Sequence, residues 1–294
     1  MNKGIFYAAT AYLLWGLLPI FWKGLQGIPP YEILCHRMTW SLPFVLGILI
    51  VRRQWKWISK AIFSPRVMVV FLLTSLLIGA NWFTYVYAVT SGFVIESSLG
   101  YFINPLLYVL LGVIFLKEKL RLWQIIAIAI AALGVVFLTF IYGSFPWIGL
   151  ILAFTFGLYG LLRKTAPLEA LEGLTLETGI LFLPSLALLI ILEMKGTGSL
   201  GHVSLSRNLL LILTGAVTSF PLLLFALGAR RITLINLGFL QYIAPTLQFL
   251  IGVLIYREYF GGNRLLGFCI IWFALAIYLI DLVIYWKRRN HPVR

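Results

Sequence analysis

The sequence predicts an all-α polytopic membrane protein: ten transmembrane helices in two inverted five-helix repeats around a central cavity. Three observations carry this. Of 294 residues, 62% are hydrophobic and only 11% charged, whereas soluble domains run to roughly a quarter charged. The apolar residues fall in ten runs, each about the 20 residues a bilayer core requires. And one stretch, YFINPLLYVLLGVIFLKEKL at 101–120, is written again as QYIAPTLQFLIGVLIYREYF at 241–260.

Taken in order, the first run covers 4–22, with only Lys3 ahead of it and no small-residue cleavage site behind it, so it is expected to be a retained helix and not a signal peptide. Further runs lie near 33–51, 67–88, 94–116, 122–141, 145–162, 175–192, 208–229, 233–256 and 264–285. Runs six and seven have the softest edges, because Pro167, Glu169, Glu172 and Glu177 crowd the stretch between them. The connections are too short for a soluble domain. Placing the N-terminus in the cytoplasm puts 17 of the 23 Lys and Arg residues on the inner side, which favours both termini inside. The net charge of +14 therefore punctuates membrane spans, and nucleic acid is not an expected partner, since a nucleic-acid binder gathers its cations on one solvated face.

The duplicated stretch aligns at an offset of 140 without gaps. Pro105/Pro245, Gly112/Gly252 and the basic-Glu pairs Lys117-Glu118/Arg257-Glu258 fall in register. Matches of Leu, Ile and Val are uninformative between any two apolar helices, so the proline, glycine and glutamate carry the evidence. Tyr101, Pro105, Tyr108 and Gly112 share one helix face, and Gln241, Pro245, Gln248 and Gly252 share the equivalent one. A weaker echo sets Trp15-Gly16, Pro19 and Lys23 against Phe156-Gly157, Gly160 and Lys164 at an offset of 141. Five spans separate the copies, an odd number, so the halves 1–142 and 143–294 are expected to be inverted, an arrangement suited to alternating access.

The strings Trp15-Gly16-x-x-Pro19, Glu32-x-x-x-His36-Arg37, Gly79-x-Asn81-Trp82, Glu96-Ser97-Ser98-Leu99-Gly100-Tyr101-Phe102-x-Asn104-Pro105 and Gln241-Tyr242-Ile243-x-Pro245-Thr246 resemble the RarD proteins of the EamA family, within the drug/metabolite transporter superfamily. The resemblance spans essentially the whole chain. It implies ten helices in two inverted halves, residence in the bacterial inner membrane, and movement of small metabolites or drugs. It leaves the substrate open.

Polar groups within the spans are expected at the cavity, because amides in hydrocarbon are costly. These are Asn81, Asn104 and Gln241. The competing reading is interhelical hydrogen bonding, worth about 0.6 kcal/mol on average. Trp15, Trp82, Tyr101, Tyr159 and Tyr242 are candidate ring contacts for a solute, against plain packing. Pro19, Pro105 and Pro245 are expected kinks that free a carbonyl one turn earlier. His36, Arg37 and Glu96 are expected to form an outer polar cluster, with protons a candidate coupling ion. Asp281 is read as interfacial, near Lys287.

Cys35 and Cys269 read as buried apolar-like residues, and no metal or other cofactor is expected. HExxH, GxSxG and CxxC patterns and a Walker loop are absent from the sequence. The reading is a secondary transporter of a small molecule, working in the lipid bilayer without ATP hydrolysis. A structural or insertion-assisting membrane protein is the alternative, and an intramembrane enzyme the less favoured one.

Overall fold

The computed structural model describes residues 3–53, 55–58, 64–91, 93–143, 145–257 and 262–290, with the side chains of 89, 90, 94–99, 142, 262–264 and 286–290 outside that description. The helices are α1 (Lys3–Lys23), α2 (Pro30–Arg52), α3 (Pro65–Thr90), α4 (Val94–Leu116), α5 (Leu122–Tyr142), α6 (Trp147–Thr165), α7 (Ala170–Met194) and α8 (Leu205–Ala229). A broken span follows, made of α9 (Leu234–Gln241), α10 (Ile243–Leu250) and a π-helical turn (Ile251–Ile255), and then α11 (Gly262–Asn290). Nine of the spans are long and apolar enough to cross a membrane among the described residues, and α4 is the tenth, with Gly100–Leu116 of it apolar. The sixth and seventh spans end closer together than the apolar runs suggest, because Arg163 and Glu177 are buried as a pair and sit inside their helices.

Local chemistry sets the ends. Ser64 Oγ accepts from Val67 N with Pro65 in the first turn, Thr233 Oγ1 accepts from Asn236 N, and Glu169 with Glu172 forms a capping box at α7. Pro245 removes the donor that the Gln241 carbonyl would receive, and the ninth span breaks at Tyr242. Pro105, by contrast, lies inside a continuous α4. Large apolar side chains such as Phe83, Leu133, Phe140 and Leu183 are exposed, the signature of a surface that meets lipid.

The core lies where α1–α4, α6–α8 and α9–α10 meet, and α5 and α11 pair with each other at its edge. Neighbours come in matched sets. The α4–α6 contact corresponds to α1 with α9–α10, α3–α6 to α1–α8, and α3–α7 to α2–α8. Gly16 lets Leu247 close on α1, and Gly157 lets Leu107 close on α6; a Cβ at either would stand 2.7 Å from that leucine. Lys117 and Arg257, 140 residues apart, both end their spans in the left-handed region, each with φ 53°.

Candidate substrate cavity

A cavity of about 180 Å³ is lined from α1, α2, α3, α4, α6, α8 and α9–α10. It lies toward the far end of α1, whose lining residues start only at Tyr12 and run to Trp22. Arg37 is its one charged lining side chain among the described residues. The Arg37 guanidinium carbon sits 5.0 Å from the Trp22 ring and 4.8 Å from the Trp82 ring, within cation–π range. Its Nε donates to Thr218 Oγ1 at 3.0 Å.

The amides divide between structure and cavity. Asn81 Nδ2 donates to Leu152 O at 2.8 Å and Thr155 Oγ1 at 2.9 Å, tying α3 to α6. Asn104 Nδ2 donates to Gln241 Oε1 at 3.1 Å, joining α4 to α9. Asn104 Oδ1, at the cavity floor, is itself enclosed and has no hydrogen-bond partner among the described residues. Pro19 deprives the Trp15 carbonyl of its helical donor, and Gln248 Nε2 on α10 supplies one at 3.2 Å.

Toward the start of α1, the rings of Tyr12 and Phe156, which line the cavity, pack with Trp15, Tyr159 and Phe225. Tyr108 OH donates to Phe156 O at 3.1 Å. Beneath this layer Glu118 accepts from Leu234 N at 2.8 Å and Ile235 N at 3.0 Å, capping α9 from the end of α4. Lys164 Nζ donates to the carbonyls of Ala229 and Ile232, and Arg230 donates to Ala166 O and Leu168 O. The repeated Gly112 and Glu118 thereby acquire a reason: a Cβ at Gly112 would stand 2.7 Å from Glu118 Oε2. Glu258 lies outside the described residues.

The structure brings Trp15, Pro19, Asn81, Trp82, Tyr101, Asn104, Gln241 and Pro245 to the cavity wall. Pro105 is not among the lining residues; its carbonyl faces Gly238 of α9, where a Cβ would stand 2.7 Å from it. Two expected ring contacts lie elsewhere. Tyr159 is fully buried under the floor and donates to Glu177 Oε2 at 3.2 Å, while Tyr242 packs in a separate cluster with its OH on Phe102 O. The expected outer cluster also divides. Residues adjacent in a helix point about 100° apart, so Arg37 faces the cavity while His36 is buried 3.7 Å from Glu32 Oε1 and accepts from Trp40 Nε1. Glu32 itself accepts from Ser199 N and Oγ. The Glu96 side chain lies outside the described residues. Asp281 is held by Arg121, whose Nε donates at 2.8 Å; the side chains of the basic tail lie outside the described residues. Cys269 is exposed, unlike the buried Cys35.

Tyr12, Trp22, Tyr85, Phe156 and Thr218 also line the cavity, and sequence reasoning passed over them because aromatic and hydroxyl residues recur throughout such helices. Gln248 was visible in the repeated stripe.

The chain as a whole is similar to known proteins. The EamA-like transporter family matches residues 2–140. The chain is 45% identical over 292 residues to the uncharacterized transporter YojE of Bacillus subtilis, covering 98% of this chain and 97% of that protein. It belongs to the RarD group of the EamA-like transporter family. RarD of Escherichia coli is 41% identical over 289 residues, with 98% and 97% of the two chains covered. A solved crystal structure with 19% identity superposes with a TM-score of 0.71 over 94% of this chain and 97% of its own, a likeness of fold. RarD-group membership thus accounts for the multi-pass helical architecture along the full length of the chain.

Proposed function

We propose that this chain is an inner-membrane secondary transporter that moves a small metabolite or drug-like solute by alternating access, without ATP hydrolysis or other catalysis. Both termini are cytoplasmic, and residues 1–142 and 143–294 form two inverted five-helix halves. The observation that carries the reading is a polar, ring-lined cavity between the halves, with contacts crossing between them at one end, from Glu118 to Leu234 and Ile235 and from Tyr108 to Phe156. With the termini inside, that end is the cytoplasmic one and the cavity belongs to an outward-facing state. The matched neighbour pairs, the Gly16/Leu247 and Gly157/Leu107 contacts and the paired left-handed ends at Lys117 and Arg257 support an exchange symmetry between halves, which allows the closed end and the cavity to trade places. The relative YojE bears the name of a transporter, in agreement.

The test is flux. Proteoliposomes loaded with a metabolite mixture are followed for loss of each component, with and without an imposed proton gradient. Protein-dependent efflux or exchange is the expected result, and acceleration by the gradient assigns protons as the coupling ion. Equal leakage from liposomes with and without folded protein, across the panel, overturns the reading.

A further inference from the structure

We infer that the cavity selects organic anions: small ring-bearing solutes whose anionic group, such as a carboxylate, pairs with Arg37. This rests on the cavity being the substrate site proposed above and goes on to name the chemistry of what enters it. Arg37 is the only charged lining side chain and forms no ion pair among the described residues. A cation held within a membrane protein ordinarily pairs with an acid or lines a polar pathway. Here Thr218 occupies only the Nε hydrogen, so the fork of terminal N–H groups that matches a carboxylate or phosphate edge is not taken by that bond. The guanidinium lies within cation–π range of both Trp22 and Trp82 and is tied to Thr218, so it is pre-oriented and less side-chain freedom remains to be lost on binding.

The walls around it are flat and apolar. Trp15, Trp82, Tyr101 and Phe156 offer ring faces to a planar body. Organic cations are disfavoured, because no described lining residue offers a carboxylate to offset Arg37.

The test uses the full-length protein purified in detergent and probes that share one ring and differ in charge: phenylacetate, 2-phenylethanol and phenethylamine, with acetate as the ringless anion. Tryptophan fluorescence excited at 295 nm reads binding, since the phenyl probes do not absorb there and three tryptophans line the cavity. Phenylacetate is expected to bind saturably and at least tenfold more tightly than the other three. Arg37→Gln is expected to weaken phenylacetate at least tenfold, the scale of a lost charge-assisted hydrogen-bonded pair, while leaving 2-phenylethanol unchanged. Thr218→Val, which frees Arg37 without removing it, is expected to weaken phenylacetate about threefold and keeps the test available if Arg37→Gln does not fold. Equal binding of the three ring probes, tighter binding of the amine, acetate binding as tight as phenylacetate, or an unchanged phenylacetate affinity in Arg37→Gln each overturns the inference. Displacement of phenylacetate by phosphatidylglycerol but not phosphatidylcholine in nanodiscs would assign Arg37 to lipid headgroups and also overturn it. Because binding is read at equilibrium, failure here is separable from failure of transport: a protein that moves neutral solutes refutes the anion class alone, and one that binds phenylacetate but shows no flux of any solute refutes transport alone.

Discussion

Removing the carboxylate of Glu118 tests whether the closed end of the cavity is a latch. Two backbone N–H groups, those of Leu234 and Ile235, end on it at 2.8 and 3.0 Å. They are first-turn donors of α9 with no partner within their own helix. An N-terminal cap is worth about 0.5–2 kcal/mol and a carboxylate at a helix N-terminus about 0.3–1 kcal/mol more. The contact is only part-buried, so its net value is taken as roughly 1–2 kcal/mol, a factor of about 5–30 in an equilibrium. If the cap holds the inner end shut, Glu118→Ala raises the transiently open fraction by that factor. The readout is the labelling rate of Leu237→Cys, which is fully buried on α9, by a membrane-permeant thiol reagent in a Cys269→Ser background. The native Cys35, buried on α2, serves as the control for global loosening. A 5–30-fold rise at position 237 with no change at Cys35 is expected, and Gly112→Ala, whose new methyl would press on Glu118 Oε2, should reproduce part of it. Unchanged labelling in both variants, or equal rises at both cysteines, would refute the latch.

Four further outcomes are expected. The buried pair Arg163–Glu177, 3.6 Å apart and also touched by Tyr159, makes Glu177→Leu costly by about 3–5 kcal/mol because Arg163 is stranded; thermal unfolding followed by size exclusion should show the loss, with the double variant Arg163→Met/Glu177→Leu recovering most of it. Gly215→Ala should destabilise by about 1–3 kcal/mol, since its Cβ would lie 2.2 Å from the Trp40 backbone and force α2 from α8; an unchanged melting temperature would contradict that packing. Replacing Asn104 or Gln241 with Leu should abolish flux while folded protein remains, whereas Asn81→Leu should also lower stability, by about 1–2 kcal/mol, because its two donor contacts bind α3 to α6. A cysteine at Gly143 should react with an impermeant reagent added outside intact cells and one at Ser59 should not; the reverse would invert the proposed orientation.

Much of this protein was legible before any coordinates. The spans followed from composition and length, since in lipid each segment must satisfy its own backbone hydrogen bonds and declares itself as an uninterrupted apolar run. The duplicated Pro, Gly and Glu pointed to one device used twice, and the polar stripe running through Gln241, Pro245 and Gln248 led to the cavity wall.

What the one-dimensional pattern could not decide was which neighbour each polar group would meet. Depth along a helix is readable from the sequence, and three side chains of similar depth were accordingly assigned to one outer cluster. Azimuth is not readable when most of the surface is apolar all round, because lipid and the protein core then ask for the same side chains. His36 and Arg37 consequently part company, one toward Glu32 and the other into the cavity, and Tyr159 turns under the floor toward Glu177. The role of Glu118 was also beyond reach: a conspicuous carboxylate at the end of α4 finds its partners 116 residues away, at the start of α9. The sequence by itself determined the spans and the repeated parts, because these depend on each segment's own exchange with lipid. Tertiary structure alone decided the cavity, the one cation among its described lining residues and the contacts below it, because those depend on pairings between helices distant in the chain.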